Sequence, residues 1–218
     1  RERDLMFLTK GYSRFLLPAL MVMAACASPP TGPTAPAEAA NFAQGPDNYS
    51  PVIITLADSH SPFFNESVSF LAKAGSSAEG AIYFKDDRGR QGKLYAKLRL
   101  SGNSLLSYPD GRLFAKGDAV MITMRIGDGE QILFDMQPSG LRFTSKDPAQ
   151  LLIEYAEADP DYNHDGVVDA LDLAIKETLA IWMQELDQPF SRIASVNFPE
   201  ADEMVARIAG FSRFAIAY

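Results

Sequence analysis

Two stretches of this chain alternate apolar and polar residues with a period of two, and that period decides most of what the chain can fold into. In Lys93–Leu100, Leu94, Ala96, Leu98 and Leu100 fall on one side of an extended backbone, with Tyr95, Lys97 and Arg99 on the other. Ala119–Ile126 repeats the pattern through Val120, Ile122, Met124 and Ile126. Successive side chains of a strand point to opposite faces, so such alternation marks a strand with one face buried, and a helix cannot use it. Shorter β-rich runs surround these two: 52–56, 68–72, 81–84, 132–136, 151–155, 179–183, 193–196, 204–208 and 211–218. Turn residues separate them about every ten positions. Asp128-Gly129 suits a primed hairpin turn between the 119–126 strand and the next. Only Ala170–Glu177 has helical character. The expectation is a mainly β domain over residues 52–218, an antiparallel Ig-like β-sandwich with one inserted loop and a short helix.

The inserted loop is Asp161-Tyr162-Asn163-His164-Asp165-Gly166-Val167-Val168-Asp169-Ala170-Leu171-Asp172. Side-chain oxygens stand at its positions 1, 3, 5, 9 and 12, and Gly166 stands at position 6, where a sharp turn needs φ > 0. A hard dication takes six to eight oxygens, and this spacing wraps oxygens around one point. Four aspartates in twelve residues repel one another, and a bound cation removes that cost. The loop resembles the EF-hand calcium loop, and more closely the dockerin-like variant that ends in Asp rather than Glu. The resemblance implies Ca²⁺ held by the side chains of Asp161, Asn163, Asp165 and Asp172, by the carbonyl of Val167, and by Asp169 directly or through water. It implies that Val168 ties the loop to the body and that His164 faces solvent. Asp172 is one methylene shorter than Glu, so the expected affinity is weak, on the order of 10⁻⁴–10⁻³ M. An EF-hand proper has helices on both sides and comes in pairs. Here the incoming element reads as a strand, and no second loop of the type is present in the sequence.

The first residues read as an address. Lys10 and Arg14 precede the apolar run Phe15–Met23, which is too short to span a bilayer, and Met6 offers an initiator. Met23-Ala24-Ala25-Cys26 follows, containing the only cysteine. The pattern resembles a bacterial lipoprotein signal over residues 1–25, with Met23 where Leu is commoner. The resemblance implies cleavage before Cys26, acylation of its thiol, and attachment to a membrane of the cell envelope, with Ala27 favouring the outer membrane. The alternative is cleavage by an ordinary signal peptidase and a secreted chain. Residues 26–51, rich in Pro, Ala and small polar residues, read as a tether. Residues 1–25 carry four basic and two acidic groups, and removing them leaves 16 basic and 26 acidic. No basic stripe remains to neutralise phosphates, which argues against a nucleic-acid partner. A single cysteine allows neither an internal disulfide nor a multi-cysteine zinc site.

Two further segments carry a resemblance of their own. Phe134–Phe143, with its Pro138-Ser139-Gly140-Leu141-Arg142-Phe143 turn, followed by Leu151–Tyr155, is similar to the β-sandwich domain of ankyrins and netrin receptors. The closing Gly210–Ala217 is similar to the last strand of bacterial members. This implies the fold more than the function, because that sandwich serves varied contacts.

Catalytic signals are sparse. His60 sits in a polar Asp58-Ser59-His60-Ser61 stretch, and no Gly-x-Ser-x-Gly elbow or phosphate loop occurs. Trp182 reads as a packing residue. The functional expectation is a calcium-binding, lipid-anchored extracytoplasmic protein with a structural or interaction role and no catalysis of its own. A dockerin-like interaction module with an unidentified protein partner, and an extracytoplasmic hydrolase of sugars or esters, are the alternatives.

Overall fold

The computed structural model describes residues 50–186 and 188–218. The leader, Cys26 and nearly all of the tether lie outside the described residues. Thirteen strands and one helix follow in chain order among the described residues: β1 (Ser67–Lys73), β2 (Ala78–Lys85), β3 (Gln91–Leu100), β4 (Leu105–Ser107), β5 (Ala119–Ile126), β6 (Leu133–Gln137), β7 (Arg142–Phe143), β8 (Ala149–Glu154), α1 (Ala170–Thr178), β9 (Ala180–Gln184), β10 (Ser191–Arg192), β11 (Ser195–Phe198), β12 (Glu203–Ile208) and β13 (Arg213–Ala217). They form a six-stranded sheet ordered β1-β5-β6-β13-β9-β10, a five-stranded sheet ordered β11-β12-β8-β3-β2, and a small β4-β7 pair. All pairings are antiparallel. The fold is the expected antiparallel β-sandwich.

The two inner faces supply the core. Ile122 and Met124 of β5, Phe134 of β6 and Phe214 of β13 are sealed from solvent on one side. Ile82 of β2, Leu98 of β3, Leu151 and Ile153 of β8 and Met204 of β12 are sealed on the other. An aromatic column crosses between the sheets: Phe63 stacks on Phe84 at 4.9 Å, Phe84 meets Tyr95 at 4.9 Å, and Tyr95 meets Phe134 at 5.1 Å between centroids. Offset and tilted rings at these distances add specific contact to the area they bury.

Tyr95 departs from the alternation that placed it outside, for it is fully buried. Ile82 pairs with Ala96 while the adjacent Tyr83 pairs with Leu94, so Tyr95 is the extra residue of a bulge in β3. A bulge breaks the two-residue period and turns one more side chain inward.

The 52–56 run forms bridges rather than a continuous strand. It lies where β6 and β13 part. The Val52 and Ile54 N–H groups donate to Tyr218 and Ile216, while the Leu56 N–H donates to Glu130 and Ile54 receives the Ile132 N–H. The partner changes within five residues, so no single ladder extends, although Ile54 and Leu56 are core residues. The same contact displaces the tight turn expected at Asp128-Gly129. β5 and β6 are neighbours with Ile126 opposite Phe134, but residues 130–132 turn aside to pair with the 54–56 segment. Gly129 still takes φ +88°, within a longer loop.

The 138–143 turn and the closing strand meet. The Phe143 N–H donates to Ala209, the Phe211 N–H donates to Leu141, and the two Phe rings touch edge to face at 4.9 Å. A Cβ on Gly210 would lie 2.8 Å from the Leu141 carbonyl oxygen, so only glycine permits this approach.

Candidate metal centre

β8 delivers the chain to the loop and α1 carries it away, as the sequence implied. The approach is pinned to the sandwich. The Ala158 N–H donates to Tyr155, the Asp159 N–H donates to Thr55, and Leu56 bridges Ala158. The Asp159 side chain then accepts the Asp161 N–H at 3.1 Å. Two left-handed residues curl the loop itself, His164 at φ 57° and Gly166 at φ 89°. Gly166 meets the expectation. His164 is exposed, and nothing in the sequence marked it for this conformation.

The acidic side chains fold onto the loop backbone. One oxygen of Asp161 accepts the Asp165 N–H at 3.1 Å and the other accepts the Gly166 N–H at 2.7 Å. The Asn163 oxygen accepts the Asp165 N–H at 2.9 Å, and its amide donates to the Asp165 carboxylate at 3.0 Å. Asp165 also accepts the Val167 N–H at 2.9 Å. From the first turn of α1, Asp172 reaches back to accept the Asn163 N–H at 3.3 Å and the Asp169 N–H at 2.9 Å. The first and last loop positions therefore bracket the ring: Asp161 ties position 1 to positions 5 and 6, and Asp172 ties position 12 to position 3.

Asp169 and Asp172 also do a second job. Asp169 is the N-cap of α1, its side chain accepting the Leu171 N–H at 2.7 Å, and Asp172 is the third helical residue of a capping box. An Asp-x-x-Asp spacing just before a helical run is a readable cap, and this role was missed in the sequence. Asp172 is 1 % exposed, the only buried residue of α1. The Asp169 N–H is the main cause that holds its carboxyl below the usual aspartate range, with the Asn163 and Tyr162 N–H groups adding to it against a desolvation cost.

Val168 does not tie the loop to the body, for it is 60 % exposed, like Val167. Tyr162 makes the tie. Its ring is buried, its carbonyl accepts the Tyr218 hydroxyl at 3.0 Å, and burial pushes its phenol up to about 12. Leu171 and Leu173 of α1 also stay outside, at 55 % and 64 % exposure, while Ile175 packs against the core.

Among the described residues, no group of three or more His, Cys, Asp or Glu side chains stands gathered as a metal cage. The donor set nonetheless suits a hard dication: it is all oxygen, and an oxygen that accepts one N–H keeps a second lone pair. Asp161, Asn163, Asp165 and Asp172 have such oxygens, while Asp169 has one oxygen committed to the cap and Val167 would contribute backbone alone.

Elsewhere, the His60 Nδ1 lies 2.8 Å from the Ser61 carbonyl, and its ring leans on Phe63 and Phe84. Among the described residues no serine hydroxyl or carboxylate bonds to it. Trp182 is half-buried with its indole N–H on the Ala217 carbonyl at 3.2 Å, while its neighbours Ile181 and Met183, not Trp182, pack into or against the core. No family model matches the sequence, and neither a curated protein nor a solved structure matches the chain.

Proposed function

We propose that the 161–172 loop binds one Ca²⁺ as a structural ion, in a β-sandwich that works outside the cytoplasm on a lipid anchor and performs no catalysis of its own. The observation that carries the reading is the bracketed ring, in which Asp172 closes back on position 3 while Asp161 spans to positions 5 and 6. A dication at its centre would neutralise the repulsion among Asp161, Asp165 and Asp172, and would join the end of β8 to the start of α1. With calcium near 1 mM and a dissociation constant of about 10⁻⁴ M, binding adds roughly 1.4 kcal/mol. For a chain of this size that is a rise in melting temperature of about 3–6 °C. Thermal melting with 1 mM CaCl₂ and with chelator tests it. The rise is expected in the native sequence and absent in Asp161→Ala/Asp165→Ala. No rise in the native sequence overturns calcium binding, and a rise retained in the double variant overturns the site. The anchor rests on the Met23–Cys26 pattern, and palmitate labelling lost in Cys26→Ser tests it.

A second reading, a protein-contact surface on the loop and α1, is favoured by one observation. Val167, Val168, Leu171 and Leu173, four large apolar side chains within seven residues, are each more than half exposed.

A further inference from the structure

The outer face of the five-stranded sheet is sorted by charge into three rows. Pairing register puts Glu79, Arg99, Gln150 and Arg207 side by side across β2, β3, β8 and β12. The next row is Ala81, Lys97, Leu152, Val205 and Val196, and this one reaches β11. The third contains Tyr83 opposite Leu94 at one end, and Glu154, Glu203 and Phe198 at the other. Buried neighbours such as Leu151, Ile153, Met204 and Ala206 alternate with these residues, so all three rows face away from the core.

One end of the face is thus cationic, the middle largely aliphatic and the far end anionic, with Arg207 and Glu203 about 14 Å apart along β12. Arg99 is paired with Glu79 at 3.4 Å. Arg207, Glu154 and Glu203 have no ion-pair partner among the described residues. Glu154 and Glu203 stand directly opposite each other on neighbouring strands, an arrangement that disfavours both charges. Burial first, and Glu203 second, raise the Glu154 carboxyl above its ordinary value. At the Arg207 end, a groove of about 640 Å³ opens over Arg99, Gln150 and Arg207, and Glu79 and Asp147 line it too.

We propose that two copies of this chain associate through this face, related by a two-fold axis running across the strands, so that each copy's Arg207 meets the other's Glu203. Charge selects the axis. A two-fold lying along the strands would keep each row over itself and set Arg99 against Arg207. The two-fold across the strands exchanges the first and third rows. It sets Arg207 over Glu203 and Gln150 over Glu154, each contact occurring twice, and it lays Leu152, Val205 and Val196 on their own copies. The same axis sets Lys97, the cation of the middle row, over its own copy, a like-charge contact that the two Arg207–Glu203 pairs must outweigh. The patch is about 20 Å by 20 Å, from strand spacing and rise, or roughly 400 Å² on each copy. The total of about 800 Å² is below the roughly 1,000 Å² that a stable specific interface buries, so the dimer is weak and reversible. The inference does not rest on the calcium loop, which contributes no residue to this face.

Sedimentation velocity of the full chain over a concentration series, in chelator, tests it. The native sequence is expected to form a reversible dimer. Arg207→Glu and Glu203→Arg, each introducing two like-charge contacts, should weaken it at least about tenfold. The double variant Arg207→Glu/Glu203→Arg should restore it, with circular dichroism confirming that all three fold. A chain that is monomeric throughout, an association indifferent to Arg207→Glu, or a double variant that fails to recover overturns the proposal.

Discussion

The Tyr95 ring packs among those of Phe63, Phe84 and Phe134, and its buried hydroxyl has no hydrogen-bond partner among the described residues. Burial alone raises its phenol far above the ordinary tyrosine value. An orphaned buried hydroxyl costs about 1–3 kcal/mol, and the ring without it keeps every aromatic contact. Tyr95→Phe is therefore expected to raise stability by about 1 kcal/mol in chemical denaturation, and a loss of similar size would show that the hydroxyl has a partner. Gly80 is a second test. A Cβ there would stand 2.4 Å from the Phe70 ring, so Gly80→Ala should cost about 1–3 kcal/mol by overpacking the seam between β1 and β2. Glu154 gives a pH signature. Its folded-state carboxyl is raised above the unfolded value, so the native state holds that proton more tightly. The associated stability is present below the ordinary glutamate range and is lost as pH rises through the raised value. In dilute solution, Glu154→Gln should melt with the native sequence near pH 4 and above it at pH 7. Equal melting at both values would contradict the assignment.

Among the elements, β5 was legible residue for residue, because Ala119–Ile126 has one buried face and no interruption. β3 begins two residues before the alternation does, and its facing was legible from Ala96 to Leu100 but not at Leu94 and Tyr95, since nothing in the letters of Leu94-Tyr95-Ala96 announces a bulge. That bulge is set by pairing with β2. The two-residue β7 and three-residue β4 carry too few positions for any period to register. The 52–56 run was legible as buried but not as a splice between β6 and β13, because the change of partner is a tertiary fact. The loop shows the same division. Its turn at Gly166 and its strand-to-helix setting followed from spacing, whereas the anchoring by Tyr162 in place of Val168 depends on where Tyr218 ends up. Helix α1 is short and its apolar side chains are largely exposed, so its N-cap carries unusual weight. Asp169→Ala should cost about 1 kcal/mol, read as a lower melting temperature in chelator.

At the scale of the whole molecule, a closed core holds two open devices at different places: an acidic ring between β8 and α1, and a charge-sorted sheet face. The ring is the centre of the functional account, and the amides of Asp165 and Gly166 report on it because both donate to Asp161. Titrating Ca²⁺ into the isotopically labelled protein and following those two amide resonances is the most direct measurement. The account predicts saturable shifts with a midpoint of about 10⁻⁴–10⁻³ M, absent in Asp161→Ala. Resonances that stay in place through about 10 mM Ca²⁺, ten times the weak end of that range, would contradict it.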